Sequence, residues 1–138
     1  MNIEDLAKTL TDSAVLTVTH PVTGLPLKMK GDVLVTLTLA GMDSDTYRAA
    51  DRENTNNRLK LRASGARVKM TAEELEAEAL DIIVACTVGW TGIYDGDEEV
   101  PFSAANVRTL YKKVPWLRQQ ADVFIHDRAN FLNASGMI

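Results

Sequence analysis

A chain of 138 residues with one cysteine and a formal net charge of -4 has room for one modest core. It excludes an intrachain disulfide, and it lacks the overall basic surface with which a broad nucleic-acid binder neutralises phosphates. No stretch approaches the roughly 20 apolar residues of a membrane-spanning helix, and "MNIEDLAKTLTDSA" carries acids where a secretory leader carries bases. A soluble, cytoplasmic, single-domain protein over residues 1–138 is expected.

In chain order, the first third reads as β structure. "AVLTVTH" and "VLVTLTLAG" are rich in Val, Thr and Leu. Val33, Val35, Leu37 and Leu39 alternate with Leu34, Thr36, Thr38 and Ala40, the period of a strand with one apolar face. Between the runs lies "PVTGLPLKMKGD", punctuated by Pro21, Gly24, Pro26 and Gly31. The pattern predicts an antiparallel hairpin over 13–42 with a long connection, in which "LPLKM" adds a short strand. Two strands alone are marginal in water, so this hairpin must lean on helices or on another chain.

From residue 43 to 132 the pattern is helical. Asp43 and Ser44 are both N-cap residues for a polar helix, on which Tyr47, Ala50, Asn54 and Leu61 form a weak stripe. Lys60, Arg62, Arg67 and Lys69 then read as a solvated helix end and loop, broken at Gly65. Thr71 with Glu74 three residues on forms a capping box. The helix it opens is expected to turn Leu75, Ala79, Ile82, Ile83 and Cys86 to the core and to end near Val88 or Gly89. Cys86, inside "LDIIVACTV", is expected to be a small buried core residue.

Ser103 caps the next helix, with Val107, Leu110 and Tyr111 on its apolar face. Pro115 stops that helix and opens the last one. There Leu117, Ala121, Phe124, Ile125, Arg128 and Phe131 recur at helical spacing. "NASGMI", residues 133–138, reads as a flexible tail. The fold class is therefore α+β, an N-terminal antiparallel β-hairpin followed by a mainly α-helical C-terminal two-thirds.

Tested for chemistry, the chain offers little. "YDGDEEVPF" holds Asp95, Asp97, Glu98 and Glu99, but not the ligand spacing of a helix-loop-helix calcium site. Its Asp-Gly pair signals a turn with carboxylates spread into water. His20 and His126 lie on different elements without metal-ligand spacing, and His126 reads as an exposed helix histidine facing away from Phe124 and Phe131. No nucleophile elbow or phosphate loop is present in the sequence. The last two helices could suggest a DNA-reading helix pair. Arg118, Gln119 and Gln120 suit base edges, but Asp122 and Asp127 would repel phosphates. No catalytic residue, metal or cofactor is expected.

"VGWTGI", an acidic turn and then "VPFSAANVRTLYKKVPWLRQQADVFIHDRANF" resemble the C-terminal half of tail assembly chaperones of long-tailed bacteriophages. Upstream, "LTLAGMDSDTYRAADRENTNNRLK" resembles the strand and helix start of the same family, so the likeness spans roughly residues 15 to 132. The resemblance implies a non-catalytic protein of the host cell cytoplasm, not expected in the mature virion. Such a protein binds and solubilises the tape measure protein while the tail tube polymerises around it. The tail tube protein is a second partner it implies, and some members carry a frameshifted C-terminal extension. Trp90, Phe102, Pro115, Trp116 and Phe131 match the family's pattern and are expected to be structural.

Many weak contacts along a long client give avidity, and self-association is expected to add to it. The polar helix has too weak an apolar stripe to be explained by core packing, so Arg48, Arg52 and Asn56, with Asp95, Asp97 and Glu98, are the expected partner-binding residues. The alternatives are a small structural tail or head-tail connector protein, an enzyme using the carboxylates around Asp95, and a transcription regulator built on the last two helices.

Overall fold

A computed structural model describes residues 2–65 and 71–132. The proposed tail, Arg67 and Lys69 lie outside the described residues. Three antiparallel strands form the main sheet in the order β1-β2-β3: β1 (Ser13–Thr17), β2 (Thr36–Ala40) and β3 (Thr87–Thr91). Helices α2 (Asp45–Ala63), α3 (Ala72–Cys86), α4 (Ala104–Lys113) and α5 (Pro115–Ile125) supply the rest of the layer structure. A short N-terminal helix, α1 (Ile3–Ala7), precedes the sheet, and a 3-10 turn (Arg128–Phe131) follows α5. The mixed α+β class is as expected, with N-terminal antiparallel strands and a mostly helical remainder.

The predicted alternation holds from Val35 to Leu39 and ends at Ala40, which is buried like Leu39. Val35, Leu37 and Leu39 are fully buried, while Thr36 and Thr38 look to the other face. Val33, in the irregular stretch before the strand, does not share the burial of its series, being 46% exposed. "LPLKM" gives isolated bridges, Thr19 to Pro26 and Lys28 to Leu34, in place of a full strand.

The hairpin's missing support comes from β3, where the sequence predicted the end of a helix. α3 stops at Cys86, and "TVGWT" crosses the sheet beside β2 with Leu37 opposite Trp90. Valine, threonine and tryptophan suit a pleated half-buried surface better than a helix end. Val88 is the extra residue of a bulge, since Thr38 pairs with Gly89 and Leu39 with Thr87. Thr87 fixes the corner. Its hydroxyl donates to the Ile83 carbonyl at 2.9 Å, which leaves its oxygen to accept from the buried Tyr111 hydroxyl at 2.6 Å.

The expected caps are present. Ser44, not Asp43, caps α2, and its side chain accepts from Tyr47 N. Thr71 and Glu74 close a capping box, Ser103 caps α4, and Pro115 is the first residue of α5. On α3, Ile83 and Cys86 are buried as expected, but Leu80 and Val84 complete the stripe, whereas Leu75 is 52% exposed and Ala79 is exposed too. On α2 only Asn54 is buried, and Leu61 faces water.

α5 ends at Ile125, earlier than the spacing suggested. Asp127 then caps the 3-10 turn by accepting from Ala129 N, and this turn rather than a longer helix carries Phe131 into the core. Arg128 stays exposed and pairs with Asp43 at 2.8 Å.

The core lies between the sheet and the helices. Val35, Leu37 and Leu39 meet Ile83 and Val84 of α3, Val107 and Tyr111 of α4, and Leu117, Ala121 and Ile125 of α5. Each of the larger side chains contributes about 1.5–3 kcal/mol by leaving water. Gly92 is required at the turn after β3: its φ is +76°, and a Cβ there would strike the Leu34 carbonyl oxygen.

Candidate binding surface

The acidic stretch folds as a minimal hairpin. β4 (Tyr94–Asp95) pairs with β5 (Glu98–Glu99) across a turn in which Gly96 takes φ +64°. Asp95, Asp97, Glu98 and Glu99 are all exposed. Lys30, from the connection between β1 and β2, braces the tip: its ammonium donates to the Asp97 carbonyl at 3.1 Å and lies 5.2 Å from the centre of the Tyr94 ring. Among the described residues no three His, Cys, Asp or Glu side chains gather within reach of one metal ion.

Aromatic residues build the hairpin's base. Trp90 donates its indole N–H to the Val100 carbonyl at 3.1 Å, and its ring meets Phe102 edge to face with centroids 5.5 Å apart. Phe131 packs edge to face on Phe124 and closes over Gly41, where a Cβ would sit 2.8 Å from the ring. Trp116 lies near His20, with ring centroids 6.5 Å apart. His20 is a turn organiser: its Nδ1 accepts from Val22 N at 3.1 Å.

His126 is exposed, as expected, but it caps the end of α5 and is held there. Its Nδ1 lies 2.9 Å from the Asp122 carbonyl oxygen and 3.0 Å from the Asp122 carboxylate. Nε2 hydrogen-bonds with the Tyr47 hydroxyl at 3.0 Å, tying the end of α5 to the first turn of α2. The Tyr47 phenol is raised above its ordinary value by burial and by nearby acids. Asp43 is held below the usual carboxylate range by its bond to Arg128.

Arg48, Arg52 and Asn56 follow one another at four-residue spacing along α2 and all are exposed. None forms a side-chain hydrogen bond or ion pair with the described residues. The inner face of α2 is anchored elsewhere, where Arg58 grips Glu78 of α3 through its Nε at 3.0 Å and Asn54 donates to the Glu78 carbonyl. Among the described residues, no hydrogen bond or ion pair joins the Arg48, Arg52 and Asn56 face to the hairpin of Asp95, Asp97 and Glu98. They are separate polar surfaces.

A third surface escaped the sequence reading. An open groove of about 420 Å³ runs between β1 and α5, lined by Leu16, Pro21, Trp116, Val123 and Phe124 with the amides of Gln119 and Gln120. Val123 is 64% exposed, and no lining residue is charged. The signal was present in "PWLRQQADVF", whose Trp116, Gln119, Gln120 and Val123 share one side of a helix. The sequence does not reveal that this side borders the sheet's edge.

The comparisons with known proteins add no relative. No family model, curated protein or solved structure matches the chain. What the surfaces can do is therefore argued from their chemistry. Cys86 is fully buried and its thiol is pushed up to about 11 by burial, which leaves it protonated and inert at neutral pH. The groove, the acidic hairpin and the Arg48 and Arg52 face are three surfaces of different chemistry.

Proposed function

We propose that this chain is a tail assembly chaperone of long-tailed bacteriophages, which binds the tape measure protein in the host cytoplasm and keeps it soluble while the tail tube polymerises. The observation that carries the reading is the open, uncharged groove between β1 and α5, a surface able to shield an apolar client segment. The sequence resemblance supports it, since Trp90, Phe102, Pro115, Trp116 and Phe131 stand at strand, turn and helix junctions. Arg48, Arg52 and Asn56, with Asp95, Asp97 and Glu98, form auxiliary contacts to the client or to the tube protein. Self-association along a long client multiplies these weak contacts.

The deciding experiment is co-expression with the tape measure protein of a long-tailed phage. The client is expected to become soluble and to co-purify with several copies of this chain, and V123D is expected to reduce the yield. An insoluble, unbound client overturns the reading. Recovery of the chain from purified virions moves the structural tail or connector reading ahead of it. Charge reversal at Arg48 and Arg52 that leaves client solubility unchanged removes those residues from the interface.

A further inference from the structure

β1 is an edge strand, and its hydrogen bonds fix which of its backbone groups point outward. Asp12 accepts from Gly41 N and Val18 donates to the Val35 carbonyl, so the even-numbered residues between them face β2. The odd-numbered residues face away, and at both ends they are already paired. Thr11 N donates to the Phe131 carbonyl at 2.7 Å. Thr19 donates its N–H to the Gln120 side-chain oxygen at 3.1 Å, while the Gln120 amide donates to the Thr19 carbonyl at 2.7 Å. The Gln120 carboxamide thus takes the place of a neighbouring strand. Between these plugs Ser13, Val15 and Thr17 present their N–H and C=O groups with no partner among the described residues.

The same window lacks the usual defences of an edge. "SAVLT" carries no charge, no proline and no bulge. Ala14 and Leu16 turn their side chains to the helix side, where Leu16 forms one wall of the groove with Trp116, Val123 and Phe124. A strand laid beside β1 would place alternate side chains in that groove. Main-chain pairing would supply affinity, and the groove would select the side chain.

We propose that the β1 edge and its groove take an extended, uncharged segment of a partner protein, with apolar side chains at alternate positions, as an added strand. The window of Ser13–Thr17 matches the length of β1, five residues. A second copy of this chain fits poorly. Antiparallel pairing centred on Val15 would bring Thr11 opposite the other copy's Thr19, and Phe131 and Gln120 already occupy those outer sides. A short segment that leaves the edge after a few residues meets neither plug. The uncharged lining gives an acidic or basic peptide nothing to pair with. This deepens the proposed function and rests on the same groove, but its geometry does not depend on the partner being a tape measure protein.

The test uses the full chain carrying W90F, which leaves Trp116 in the groove as the sole tryptophan. The probe is a short blocked peptide of alternating Val and Thr, titrated while Trp116 emission is read. A saturable shift is expected, absent with the same peptide N-methylated on the residues whose N–H groups meet β1. V15P removes an outward N–H without touching the β1–β2 ladder, and it is expected to weaken binding by about tenfold or more. V123D tests the groove independently at an exposed position. Circular dichroism checks that each variant is folded.

No saturable shift, or binding that survives V15P in a folded protein, overturns the proposal. Dimerisation that competes with the peptide and is abolished by V15P overturns it too, by assigning the edge to a second copy. Peptide binding without tape measure solubilisation leaves the added strand standing and removes the chaperone reading.

Discussion

Buried at the turn from α3 into β3, Cys86 and Tyr111 make the core sensitive to alkali. Burial raises the thiol from 9.0 to about 11 and the phenol from 10.0 to about 12. Both groups hold their protons more tightly folded than unfolded. Their contribution is therefore complete below about pH 9 and is lost as pH rises through 11 and 12. Urea midpoints are expected to be flat in this respect at neutral pH and to fall steadily above the lower bound. Y111F loses the hydrogen bond to Thr87 and is expected to cost about 1 kcal/mol at pH 7. Its deficit should shrink or reverse by pH 11, because the variant no longer carries the phenol. A deficit independent of pH would show that the phenol is not held protonated by the fold.

Local signals located the helix starts, missed β3, and left the rotation of α3 open. Caps are readable because one side chain satisfies a named backbone N–H nearby, as Thr71, Ser103 and Ser44 do. The phase of α3 was misread because "LDIIVAC" is apolar on almost every side, so several stripes of helical spacing fit it equally. What sets the phase is distant in sequence: Leu80, Ile83 and Val84 bury against residues of β2, α4 and α5, which leaves Glu78 and Asp81 to meet Arg58 and Arg108. Both stripes bury Ile83, and they differ at Leu75. I83A, at 2% exposure, is expected to cost about 2–4 kcal/mol, and L75A, at 52%, less than about 0.5 kcal/mol in urea unfolding. Equal costs would reinstate the stripe through Leu75. The groove was illegible for a related reason. Trp116 and Val123 announce an apolar helix face, but only the packing of α5 beside β1 leaves that face open next to an unpaired edge.

At the scale of the whole molecule, the division into a β-hairpin and a helical part dissolves. β2, from the first, pairs on one side with β1 and on the other with β3, which follows directly from α3. Leu37 and Leu39 share one core with Ile83, Tyr111, Leu117 and Ile125. Removing the hairpin would strip α3, α4 and α5 of the sheet they bury against, and removing the helices would leave three strands with a bare apolar face. Neither half can unfold alone without exposing the other's core, so the described chain is expected to melt as one cooperative unit. The two tryptophans test this from separate places, Trp90 on β3 and Trp116 on α5. In W116F the emission of Trp90 reports the sheet, and in W90F that of Trp116 reports the helices. Within each variant the fluorescence transition in urea is expected to coincide with the far-ultraviolet dichroism transition. Sheet fluorescence lost ahead of helix signal would mean that β1 and β2 detach as a unit, and the edge strand would then be presented by a labile hairpin instead of a rigid scaffold.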